Sequence, residues 1–266
     1  MTGPILVFDS GLGGTTVLAA IAELLPDEGF VYLVDDAGFP YGGWTDETRL
    51  VERIVALVGA QVAEHGARAV VVACNTASTI ALPALRSALS IPVVGTVPAV
   101  KPAAARSRSG LVSVLATPAT VARDYTRDLI AHHGAGADFT LVGAPDLAAL
   151  AETYATTGVV PVDDVRREIA PCFVEAVRGR TDTIVLACTH YPLLLDIFGS
   201  LAPWPVDWID PAPAIARRVA MVLGRAGETP AASGRFAIAA RFTSGRDRAD
   251  DVARIVAGRK AIDVAG

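Results

Sequence analysis

The sequence predicts an α/β protein made of two similar domains, each a parallel-rich sheet flanked by helices. Three observations predict it. Short apolar runs alternate with segments of helical spacing along most of the chain, the pattern of parallel sheets covered on both faces. The distinctive polar clusters, Asp9-Ser10, Cys74-Asn75-Thr76, Thr117 and Cys188-Thr189-His190, each stand where such a run ends. A run closed by Cys-Asn-Thr in the first half is echoed by a run closed by Cys-Thr-His in the second.

The elements follow in order. Ile5 to Phe8 reads as a buried strand, Asp9 to Gly14 as a Gly-rich turn, and Thr16 to Leu25 as a helix. Phe30 to Val34 is a second strand, closed by Asp35-Asp36. Asp46 to His65 carries Leu50, Ile54, Leu57 and Val58 on one helical face, with Asp46 as N-cap. Ala69 to Ala73 is a third strand, and the helix after it begins just past Cys74 and is clearest from Thr79 to Leu89. Val93 to Gly95 is a fourth strand. The pattern then restarts: strand Gly110 to Leu115, helix Val121 to His132, strand Phe139 to Val142, helix Asp163 to Val177 and strand Thr183 to Ala187. Ala212 to Leu223 is helical, and Phe236 to Arg241 reads as a late strand. A first domain is expected to span 1–96 plus 208–266, and a second 97–207.

Composition narrows the function classes. The chain has 266 residues, 52% hydrophobic and 19% charged, which fits a globular protein with sizeable cores. A formal net charge of -5 lacks the basic footprint of a nucleic-acid binder. No apolar run is long enough to span a bilayer, and the start has no basic segment before an apolar one, so neither a membrane protein nor a signal peptide is expected. The expected compartment is the cytoplasm. Three cysteines without a CxxC pair are neither a disulfide framework nor a cysteine zinc site.

Ligands of parallel sheets bind beyond the carboxyl ends of the strands, where Cys74 and Cys188 both stand. Cys172 differs: it lies in a helical pattern between Pro171 and Phe173 and reads as a small core residue. A helix N-terminus after Cys74 favours a thiolate, and His190 lies within reach of Cys188. Two facing α/β domains would bring the thiols to opposite walls of one cleft. Two opposed bases suit inversion of a carbon stereocentre, because one removes a proton from one face while the other returns one to the other face. The carbanion's carboxylate then needs fixed donors, which Ser10, the Gly11 to Gly14 backbone, Asn75, Thr76 and Thr189 supply. Gly11-Leu12-Gly13-Gly14 is neither a P-loop nor a GxGxxG motif, so nucleotide binding is not indicated.

These residues carry a resemblance over nearly the whole chain. Phe8 to Gly14, Pro40-Tyr41-Gly42, Ala73 to Ser78, Val97 to Pro102, Leu115 to Val121, Cys188 to Leu194 and Phe242 to Gly245, in that order and spacing, resemble the glutamate racemases of the aspartate/glutamate racemase family. The resemblance implies interconversion of L- and D-glutamate without cofactor or metal, supplying D-glutamate for peptidoglycan. It implies that Cys74 takes the proton from D-glutamate and Cys188 from L-glutamate, with Asp9, Glu152 and His190 assisting. It places substrate contacts on Asp9, Ser10, Tyr41, Gly42, Asn75, Thr76, Thr117, Thr189 and His190. The family usually has a charged residue soon after Pro-Tyr-Gly, where this chain has Gly43-Trp44. The expected partner is the small-molecule substrate, with a homodimer left open. The alternatives are a racemase for aspartate or another amino acid and, in different classes, a non-catalytic amino-acid-binding protein or a thiol redox protein.

Overall fold

The computed structural model describes residues 3–227 and 237–259. The chain divides into two compact units, 1–96 with 212–266, and 97–211. The return to the first unit comes at Ala212 rather than at Trp208. The reason is pairing: Asp207–Ile209 runs parallel beside Thr183–Val185 and so completes the second unit's sheet.

The first unit holds a parallel five-stranded sheet. Its strands are β1 (Ile5–Asp9), β2 (Gly29–Val34), β3 (Ala69–Val72), β4 (Val93–Gly95) and, late in the chain, β11 (Ala237–Phe242), in the order β11-β2-β1-β3-β4. The late strand expected from Phe236 falls partly outside the described residues; from Ala237 onward it pairs with β2. Every residue of β1 and β3 is buried, because a central parallel strand is covered on both faces. Leu6, Phe8, Val31, Leu33, Val70 and Val72 pack on one side against Leu50, Ile54 and Val58 of the helix Glu47–His65 and Ala77, Ala81 and Leu85 of the helix Asn75–Ala88. Asp46 caps the first of these helices by accepting from the Arg49 N–H, and Gly66 ends it in the left-handed region at φ 61°.

The second unit holds a parallel four-stranded sheet of β5 (Leu111–Ala116), β6 (Asp138–Gly143), β9 (Thr183–Ala187) and β10 (Asp207–Ile209), ordered β10-β9-β5-β6, plus a two-stranded hairpin of β7 (Glu175–Ala176) and β8 (Gly179–Arg180). Its core gathers Val112, Val114, Ala116, Val185 and Ala187 under Ala99 and Ala103. Connectivity repeats that of the first unit. In β2-β1-β3-β4 and in β6-β5-β9-β10, the first strand in sequence sits between the second and third, with the fourth outside the third.

Two expected helices need correction, and one helix was not expected. The helix expected from Asp163 to Val177 stops at Ile169, followed by a short 3-10 turn and the hairpin. Pro171 explains the stop, since it has no N–H to give and its ring clashes with the preceding turn. The helix expected from Val121 to His132 is two, Pro118–Val121 and Asp124–His133. Leu147–Thr157 is a helix that periodicity did not reveal. No helix among the described residues is long and apolar enough to cross a membrane.

Candidate active site

In the first unit the expected residues meet at the carboxyl ends of β1 and β3. Asp9, the last residue of β1, is wholly buried and accepts from the Ser10 N–H at 2.7 Å. The turn after it is tight. A Cβ on Gly14 would lie 2.7 Å from the Asp9 side chain and 2.9 Å from the Tyr32 hydroxyl, so only glycine lets the turn close over Asp9. Tyr32 holds the turn by donating to the Gly11 carbonyl at 2.8 Å.

Cys74 follows β3 and occupies the N-cap of the helix Asn75–Ala88. Its sulfur accepts from the Ala77 N–H at 3.5 Å and lies 3.7 Å from the Ser10 hydroxyl. Sulfur thus stands where a capping oxygen normally does, facing the partial positive charge of a four-turn helix, which favours the thiolate. Asn75 and Thr76, the first residues of that helix, are buried. Among the described residues, neither polar atom of the Asn75 amide has a hydrogen-bond partner. Such a group costs stability and has its use only when something outside the chain bonds to it. Tyr41 and Gly42 sit on a 3-10 turn, with Tyr41 buried in the same apolar cluster as Cys74.

In the second unit the thiol has different neighbours. Cys188 follows β9, and its sulfur lies 3.9 Å from Nδ1 of His190. The other ring nitrogen, Nε2, lies 3.1 Å from the Glu152 carboxylate, borne by the helix Leu147–Thr157. Carboxylate, imidazole and sulfur therefore form a chain, with His190 buried at its centre. Glu152 fixes which ring nitrogen carries a proton and holds the ring toward the sulfur. Thr189 is buried beside them. Tyr191 is enclosed next to them; burial, and then the nearby Cys188, keep its hydroxyl far above the usual phenol range, and it donates to the Ala144 carbonyl. Thr117, at the end of β5, caps the short helix Pro118–Val121 by accepting from the Thr120 N–H at 3.3 Å.

The third cysteine shows the contrast. Cys172 is fully enclosed, and burial alone pushes its thiol up to about 12. Among the described residues no group of three or more His, Cys, Asp and Glu side chains is placed to hold a metal ion.

Sequence reasoning passed over three residues that support Tyr41. Asp35 accepts from the Tyr41 hydroxyl at 2.6 Å, from Arg53 at 2.7 and 2.5 Å, and from the Thr243 hydroxyl at 2.6 Å. The available signal was position. Asp35 follows β2 and Thr243 follows β11, just as the recognised clusters stand at the ends of their own strands.

Residues 5–219 match the family described as Asp/Glu/Hydantoin racemase. A glutamate racemase of Brucella anthropi is 58% identical over 221 residues, 83% of this chain and 79% of that protein. One from Sinorhizobium medicae is 57% identical over 216 residues, 81% and 79% of the two chains. Among solved structures, Escherichia coli glutamate racemase in complex with L-glutamate and the activator UDP-MurNAc-Ala superposes with a TM-score of 0.83 at 37% identity, covering 97% of this chain and 95% of that one. Thermus thermophilus glutamate racemase in complex with β-chloro-D-alanine does so with a TM-score of 0.68 at 32% identity, covering 99% and 95%. With a family match that runs through both strand-end thiols, the chain belongs to the Asp/Glu/hydantoin racemase family.

Proposed function

We propose that this chain is a glutamate racemase working by two-base proton transfer, with Cys74 and Cys188 as the bases. The observation that carries the reading is the pair of strand-end thiols, each buried and each beside groups that stabilise a charged or reacting sulfur. Glutamate as substrate comes from relatives named glutamate racemase at 56–58% identity.

In this reading Cys74, as thiolate, removes the α-proton of D-glutamate while the Cys188 thiol delivers a proton to the opposite face. The reverse reaction starts from the Cys188 thiolate on L-glutamate. Each turnover leaves one sulfur protonated and the other ionised, so protons balance and no electrons are exchanged. Cys74 is held ready by the helix N-terminus, and Asp9 and Ser10 complete its surroundings. Cys188 is served by His190, which Glu152 orients. Asn75 supplies an amide donor and an amide acceptor for the substrate's charged groups, and Thr76, Thr117, Thr189, Tyr41 and Gly42 line the substrate. The reading needs neither metal nor cofactor, places the enzyme in the cytoplasm, and assigns its D-glutamate to peptidoglycan assembly.

The test is incubation of the purified protein with L-glutamate in deuterated water, without cofactors. Loss of optical rotation with deuterium entering the α-carbon is expected. Rotation and α-proton both unchanged would refute the reading, and activity on aspartate with none on glutamate would move it to the neighbouring substrate.

A further inference from the structure

Asp35 is wholly buried, yet it carries a charge and belongs to none of the groups assigned above. Burial alone would raise its pKa, but the hydrogen bonds from Arg53, Thr243 and Tyr41 outweigh it and hold the carboxyl below the usual range. The donors come from three separate parts of the first unit: the helix Glu47–His65, the Tyr41 turn and the segment after β11. One carboxylate therefore ties the Tyr41 turn to the rest of the unit.

The loop leading to Tyr41 is wound tightly over this carboxylate. A Cβ on Gly38 would lie 2.5 Å from Asp35 Oδ2 and 3.1 Å from the Tyr41 ring. Trp44 closes the far end, donating from its indole N–H to the Gly38 carbonyl at 2.7 Å and setting its ring edgewise to Tyr41 at 6.4 Å. The Tyr41 ring also meets Phe8 at 6.3 Å and shares the apolar cluster that contains Cys74. The segment after β11 is clipped a second time, by Ser244 donating from its backbone N–H to Asp36 at 2.9 Å.

We infer that Asp35 is a positioning residue: through the Tyr41 hydroxyl it fixes the wall beside Cys74 and the Tyr41-Gly42 turn against which the substrate lies. The role of that turn as a substrate wall rests on the proposed function; the anchoring of Tyr41 beside the thiol rests on geometry alone. Arg53 supplies the countercharge that lets Asp35 stay ionised out of water, and its two parallel N–H bonds fix the carboxylate plane. Thr243 then couples the site to a strand from the far end of the chain.

The test compares wild type, Tyr41→Phe, Asp35→Asn and the double variant by three measurements: KM and kcat for both glutamate enantiomers, the rate of Cys74 alkylation by iodoacetamide read by peptide mass spectrometry, and the thermal midpoint. Tyr41→Phe removes one oxygen and keeps the ring. It is expected to raise KM about tenfold with kcat changed less than about threefold, the size of one lost bond to a charged group. It should also speed Cys74 alkylation several-fold while Cys172 stays protected. Asp35→Asn should do the same more strongly, and adding Tyr41→Phe to it should change KM little further, because both remove one bond. If Asp35→Asn does not fold, Tyr41→Phe decides alone. A lower thermal midpoint with unchanged KM and unchanged Cys74 alkylation would overturn the inference and leave a purely structural ion pair. A wild-type protein that racemises nothing would instead refute the proposed function, and Cys74 alkylation would still decide the anchoring.

Discussion

The two units repeat one strand order but surround their thiols differently. In the first, Cys74 is served by groups that do not titrate near neutral pH: the N-terminus of its helix, through the Ala77 N–H, and the Ser10 hydroxyl. In the second, Cys188 has no cap of that kind and is served by His190 and Glu152. The lesson is that the same strand-end position can ready a thiol by fixed dipoles or by a proton-carrying relay. In the proposed racemase the first side is set by the fold's dipoles, whereas the second works through the hydrogen-bonded chain of Glu152, His190 and Cys188.

The largest expected effect removes either thiol. Cys74→Ser and Cys188→Ser should each lower racemisation by about three orders of magnitude or more, since a hydroxyl is a far weaker acid and base than a thiol. Cys172→Ser should retain racemisation at near the wild-type rate. Polarimetry on the three purified variants checks this. An active Cys74→Ser or Cys188→Ser protein would end the two-base account.

Next comes the unpartnered amide. Asn75→Leu removes a buried donor and acceptor left unsatisfied among the described residues and keeps the branched shape of the side chain. It should raise stability by about 1 kcal/mol while raising KM at least about tenfold. Thermal melts and steady-state kinetics on one preparation check both, and a destabilised Asn75→Leu would mean the amide is satisfied after all.

The relay side should be softer. Glu152→Gln and His190→Asn are expected to slow both directions about ten- to a hundredfold without abolishing either, as they tune and orient a group that carries the proton. L- and D-glutamate have equal free energies, so kcat/KM must fall equally in both directions whichever unit is altered. Steady-state kinetics with each enantiomer checks this, and complete loss of either direction in Glu152→Gln or His190→Asn would contradict it.

How much of this was legible in the sequence follows the same division. β1, β3 and β9 were readable because strands buried on both faces are unbroken apolar runs, and the thiols were readable because they close those runs. The helix that carries Glu152 was not. Its buried stripe is Leu147, Ala148, Ala151 and Ala155, and alanine gives little contrast between faces. Glu152 was found through resemblance, and its bond to His190 joins residues 38 apart in sequence. Asp35 was hidden for the same reason: Thr243 is 208 residues away, and no local pattern reports such a pairing.

The smallest effect is on acid stability in the second unit. Burial alone would raise the Asp182 carboxyl, but hydrogen bonds from the Ser107 hydroxyl, the Ser109 and Arg108 N–H groups and the Thr183 hydroxyl outweigh it and lower it to about 2. A lowered folded-state pKa gives stability that is present above the unfolded value of 3.8 and is lost as pH falls toward about 2. Asp182→Asn should therefore be less stable than wild type at pH 6 and lose less of its stability between pH 4 and 2. Denaturant midpoints across that range check it; an unchanged slope would mean these bonds do not discriminate the ionised form.

The central claim, one thiol for each enantiomer, is tested most directly by elimination from glutamate analogues bearing a β-leaving group. Elimination needs only proton removal, so a variant with one thiol can still complete it. Cys74→Ser should eliminate from the L-analogue and not the D-analogue, and Cys188→Ser from the D-analogue and not the L-analogue. The same enantiomer preference in both variants would contradict the account.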